Sequence, residues 1–178
     1  MNILILKDGN EIQKVSQDVA YSSEFSNLKV HEFLNNRTSL EYDAFLFLPN
    51  TFDIVGQCEL DKFIETSQNE QNSVAGAYYA NNNVYDGDKF LFTKCEQPYN
   101  IKHLNNKNVI YMPLLVKKEV MYAIRDLKHL YIWGLFLDLS KTTVLYHIPQ
   151  VVFTTTSTFM FNDNLIEDIK KINDIYFS

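Results

Sequence analysis

Carboxylates, histidines and cysteines are the side chains in this chain that could carry chemistry, and their spacing limits what that chemistry can be. Asp86-Gly87-Asp88 sets two carboxylates one residue apart, enough to touch a cation, but the remaining oxygen donors of an EF-hand loop are missing. Asp-Gly is also a turn signal, and a turn is the preferred reading. His31, His103, His129 and His147 show neither HxxxH nor HxH spacing, so shared metal ligation is not expected of them. Cys58 and Cys95 form no CxxC, and two buried free thiols are preferred to a disulfide. The five glycines never approach GxGxxG or a Walker loop, and no GxSxG elbow is present.

The elements that must position these residues alternate between strand and helix patterns. Residues 1–6 form an apolar, β-prone run closed by Lys7-Asp8-Gly9-Asn10, and residues 28–40 mix periods in a way that fits a short helix. Ala44–Leu48 is a continuous apolar run stopped by Pro49, as expected of a central strand buried on both faces. Over Gln57–Gln68 the apolar Leu60, Phe63 and Ile64 recur at helical spacing. Residues 73–80 read as a strand in which Gly76 marks close packing, and residues 81–88 read as a polar loop of turn formers. Residues 90–92 and 109–112 are further strands, and residues 117–127 and 130–140 are two helices. Residues 144–153 form a strand whose Pro149 calls for an edge or a bulge. A closing helix caps at Asn162 or Asp163 and carries the stripe Leu165, Ile166, Ile169, Ile172 and Ile175. The pattern predicts one α/β domain over residues 1–178, with a mainly parallel central sheet flanked by helices.

Composition narrows the function classes. Hydrophobic residues make up 46% of the 178, which argues for a packed globule over disorder. The formal net charge is −6 and the 16 basic residues are scattered, against the clustered cations that nucleic-acid binding needs. The longest apolar runs, residues 44–48 and 130–137, fall far short of the ~20 residues of a membrane-spanning helix. Residues 1–11 lack a basic n-region and a cleavage site, and read as a first strand instead of a signal peptide. With the unpaired cysteines, this fits synthesis in the cytoplasm. Eleven tyrosines exceed what packing alone asks for, and protein interfaces favour tyrosine, so a protein-protein surface is a second reading of that excess.

Three pieces in order carry a family resemblance: Tyr42-Asp43-Ala44-Phe45-Leu46-Phe47-Leu48-Pro49-Asn50-Thr51-Phe52-Asp53, then Gly76-Ala77-Tyr78-Tyr79-Ala80-Asn81-Asn82, then MPLLVKKEVMYAIRDLKHLYIWGLFLDLSKTTVLYHIPQVVF. Together they resemble the acceptor-side part of inverting GT-A glycosyltransferases of the family-two type, over residues 42–153. The resemblance implies a GT-A-like fold, shortened at the nucleotide-binding end. It also implies a nucleotide-sugar donor held through a divalent cation such as Mn or Mg, and a carboxylate base that takes the proton from the acceptor hydroxyl.

Transferred residue by residue, those roles meet substitutions. Asp53 is the sole carboxylate near the place of the metal-binding DxD motif; Ile132 stands before Trp133, where the base belongs; and Lys7 beside Asp8 occupies the place of a nucleotide-gripping carboxylate. If the chain is active, Asp53 holds the metal, Asp8 and Asp53 bind the donor, and Asp138, Asp86 or Asp88 serves as base. The bland readings are preferred: a turn for Asp53 and a solvated helix position for Asp138. The first expectation is therefore a non-catalytic glycosyltransferase-like domain, a binding or structural component of a larger assembly such as a viral or phage particle, with protein partners or copies of itself. The alternative is an active minimal glycosyltransferase.

Overall fold

The computed structural model describes residues 1–7, 19–22, 42–49, 51–69, 71–72, 74–96, 98, 112–123 and 132–157. In chain order the elements are β1 (Ile3–Lys7), β2 (Val19–Ser22), β3 (Ala44–Leu48), β4 (Phe52–Ile54), α1 (Gln57–Gln68), β5 (Ala77–Asp86) and β6 (Lys89–Lys94). They continue with β7 (Leu114–Lys117), α2 (Lys118–Ala123), α3 (Ile132–Thr142) and β8 (Leu145–Thr156). The helices read into residues 28–40 and 162–175, and Asp8, lie outside the described residues.

One eight-stranded sheet collects every described strand in the order β2-β1-β3-β7-β5-β8-β4, with β6 on β5. It is mixed, which corrects the expectation of a mainly parallel sheet. The pairings β1–β2, β1–β3 and β5–β8 are parallel, whereas β3–β7, β5–β7, β5–β6 and β4–β8 are antiparallel. A run such as Ala44–Leu48, buried at all five positions, records that both faces are covered and is silent about neighbour direction.

Strand alternation sorts the core into two layers. Ile3, Ile5, Ala44, Leu46, Leu48, Leu115, Tyr78, Ala80 and Ile148 pack with Leu60 and Phe63 of α1, and Phe63 meets Phe153 edge-on at 5.9 Å between ring centroids. On the opposite face Tyr79 meets Phe136 of α3 edge-on at 6.1 Å. The helix α1 matches its expected bounds, with Leu60 and Phe63 buried. The stretch after it is tied to the sheet by Tyr78, whose hydroxyl lies 2.8 Å from the Ala75 carbonyl and 2.9 Å from that of Asn72. Gly76 is the close approach the sequence called for. A Cβ there would stand 2.9 Å from Thr143 Cβ and closer still to Val120 Cγ2 and Thr143 Oγ1.

One further expectation is corrected. Residues 81–86 are strand, not loop: they continue β5, and the hairpin turns only at Gly87, whose φ of 56° is the left-handed conformation glycine adopts freely. The pairing begins with Asp86 opposite Lys89. Of the strand read into residues 109–112 only Met112 is described, outside any strand, and the rest lies outside the described residues; β7 follows, four residues long and leading straight into α2. Pro149 does sit at a bulge. From Ala80 to Asn82 β5 advances two positions while β8 advances from Ile148 to Phe153, so Pro149, Gln150 and Val152 have no counterpart on β5.

Candidate functional site

The strands β1, β3, β5 and β8 all run the same way, and β5 and β8 outrun the others. Leu46, Leu115 and Tyr78 lie level across β3, β7 and β5. Asn83 is five residues beyond Tyr78 and Leu48 two beyond Leu46, so at ~3.3 Å per residue Asn83 of β5 stands about 10 Å past the end of β3. This projecting carboxyl edge is where open α/β sheets place their ligands.

A cross-strand row crosses the edge on one face. Asp53 of β4 is opposite Thr154 of β8, Thr154 is opposite Asn83 of β5, and Asn83 is opposite Thr93 of β6. The Thr93 hydroxyl donates to Asn83 Oδ1 at 2.7 Å. One step along β5, Asn82 is 1% exposed and neither its amide nitrogen nor its amide oxygen has a hydrogen-bond partner among the described residues. The Thr155 hydroxyl, also buried, donates to the Thr51 carbonyl at 2.8 Å. The edge thus presents amides and hydroxyls, with Asp53 the single carboxylate of the row.

Below the row, the parallel pairing of β5 and β8 joins two residues that sequence reasoning did not connect. His147 Nε2 lies 2.8 Å from Asn81 Oδ1, and the same oxygen accepts the Glu96 backbone N–H at 2.9 Å. An oxygen already accepting one N–H fixes the amide orientation, so His147 donates to it from Nε2. The ring stacks on Tyr79 at 5.2 Å, and burial holds the imidazole below its ordinary pKa. The stretch after β6 is anchored there too, since Lys94 Nζ pairs with Glu96 Oε1 at 2.7 Å. Asn81 and His147 are 66 residues apart, and their only sequence trace is Pro149, which announces the bulge beside them.

The residues named from sequence fall at separate places. Asp53 is an exposed position within a strand and not in a turn. Asp86 and Asp88 are exposed at the β5–β6 turn, where the turn reading placed them. Asp138 lies on α3, half-buried instead of solvated, and its carbonyl accepts the Thr142 hydroxyl at 3.0 Å. Cys58 and Cys95 are free thiols as expected, but both are exposed, which corrects the expectation of burial. Of the tyrosines, Tyr78 and Tyr79 belong to the core, while Tyr122 and Tyr146 are exposed; Tyr99, Tyr111 and Tyr131 lie outside the described residues.

The donor set does not fit the cation that the family resemblance implies. A hard divalent cation takes six or more oxygen ligands, with carboxylates supplying the charge. Among the described residues no three Asp, Glu, His or Cys side chains converge on a common point. Asp53 has a threonine and an asparagine beside it in its row, so no step is derived through a metal.

The chain matches no protein-family model and no curated protein. Its fold is similar to that of A197 from STIV, at 15% identity and a TM-score of 0.50, over 84% of this chain and 82% of that one. Weaker likenesses are to the inositol-1-phosphate CTP transferase from T. maritima (12% identity, TM-score 0.36, 87% and 66% covered) and to a CMP:2-keto-3-deoxy-manno-octonic acid synthetase complexed with CTP (7%, 0.37, 86% and 73%). What the first likeness establishes is an α/β fold shared with A197. No described helix is long and apolar enough to cross a membrane.

Proposed function

We propose that this protein is a non-catalytic binding module on a GT-A-like scaffold, made in the cytoplasm and built into a larger assembly such as a virus particle. The observation that carries the reading is the chemistry of the carboxyl edge. Where sugar transfer needs carboxylates to hold a cation and take a proton, Asn83, Thr93 and Thr154 supply neutral donors and acceptors. Such groups recognise a polar partner without moving a proton. The viral setting draws on the likeness to A197 of STIV and on nothing finer.

A competing reading, an active minimal glycosyltransferase with Asp53 on the metal, draws on one observation. Asp53 stands on β4 at the carboxyl edge, five residues after the central strand ends in sequence. Calorimetric titration of the full chain with UDP- and GDP-sugars in the presence of manganese separates the two. The binding-module reading expects no saturable, metal-dependent heat, and a saturable signal that EDTA abolishes would overturn it.

A further inference from the structure

The strand β6 is built against the usual rule for a sheet edge. Among the described residues it pairs with β5 alone, and Lys89, Phe90, Leu91, Phe92 and Thr93 are all exposed. Phe90, Leu91 and Phe92 keep 50%, 38% and 45% of their surface in contact with solvent. Single exposed apolar residues are ordinary, but three in succession on an edge strand form a template for another strand. The hairpin is held in place for that purpose by the Gly87 turn and by Phe90, which packs edge-on against Tyr85 at 5.7 Å. Leu91 has no counterpart on β5, because Tyr85 pairs with Phe90 and Val84 with Phe92.

We propose that β6 pairs antiparallel with the β6 of a second copy of this chain, about a two-fold axis through Leu91. Charge along Asp88-Lys89-Phe90-Leu91-Phe92-Thr93-Lys94 selects both the occupant and the register. With Leu91 opposite its own copy, Phe90 faces Phe92 and Asp88 faces Lys94, twice over by symmetry. A shift of one residue one way puts Lys89 opposite Lys94; a shift the other way puts Asp88 opposite Thr93 and Lys89 opposite Phe92, which loses both ion pairs and the aromatic pairs. Like charges directly opposed are unfavourable, whereas aromatic pairs and opposite charges stabilise cross-strand contacts. Lys94 already pairs with Glu96, so Asp88 of the second copy would join an existing ion pair. Against its one-residue neighbours, the register centred on Leu91 is the one that keeps both the ion pairs and the aromatic pairs. The same patch serves both copies, as a two-fold interface requires.

The test is sedimentation of the full chain under reducing conditions across micromolar concentrations. The wild type is expected to reach twice the monomer mass, and Leu91→Lys to remain monomeric with an unchanged circular-dichroism spectrum. A second arm does not depend on Leu91. Asp88→Lys alone and Lys94→Asp alone each weaken the dimer by about tenfold, since two cross-strand pairs turn repulsive, and an equimolar mixture of the two regains wild-type affinity as a heterodimer. A wild-type monomer at every concentration, or a dimer indifferent to the charge exchanges, overturns the proposal. Either result leaves the reading of the carboxyl edge untouched.

Discussion

Replacing Gly76 by alanine adds one methyl group at the point where three strands and two helices meet. The Gly76 N–H donates to the Val144 carbonyl at 3.1 Å and its carbonyl accepts the Lys117 N–H at 2.9 Å, so the backbone is held on both sides. The new Cβ would stand 2.9 Å from Thr143 Cβ, with Val120 Cγ2 nearer still, against a preferred carbon separation of ~3.5–4.0 Å. Neither neighbour is the free end of a long side chain: both are β-branched and short. Overpacking of this kind costs about 1–3 kcal/mol. In a domain of this length each kcal/mol lowers the melting temperature by ~2–4 °C, so Gly76→Ala should melt roughly 2–12 °C below wild type. Thermal unfolding followed by circular dichroism measures this. Gly76→Ala with Val120→Ala should recover part of the loss, because the second change removes the clashing methyl. A Gly76→Ala protein melting within a degree of wild type would refute the packing argument.

Two more outcomes follow from the core and from the site. Phe153→Ala removes a fully buried ring that meets Phe63 edge-on and should cost ~3–5 kcal/mol in denaturant unfolding, with Phe63→Ala less than additive on top of it. Burial lowers the His147 pKa, so the unfolded chain binds the proton more readily. Stability should therefore decline as pH falls below the ordinary histidine value of about 6.5, down to the lowered folded value, and a His147→Gln protein should lose that component of the pH dependence.

How much of this was legible in the sequence depended on whether a residue's neighbours are local. Ala44–Leu48 and Gln57–Gln68 matched to the residue because burial on two faces and burial on one leave different periods. Gly76 and Pro149 were legible because each permits few environments. The stretch from Asn81 to Asp86 was not: asparagine and aspartate prefer turns, and it is a strand only because β8 on one side and β6 on the other supply ladders that propensity cannot see. Strand direction was hidden for the same reason, since β7 runs against β3 and β5 without any trace in its four apolar and basic residues. The His147–Asn81 contact exists only through the β5–β8 register, so no spacing rule could have found it. The scattered carboxylates were legible one by one, but that they fall at separate elements became visible only in the fold.

The central claim is that the carboxyl edge recognises a partner and performs no sugar transfer. Nucleotide release from UDP- and GDP-sugars, with manganese and with and without the protein, tests it most directly. The account predicts the same rate of release in both samples, for wild type and Asp53→Ala alike. Release accelerated by the wild type and abolished in Asp53→Ala would contradict it.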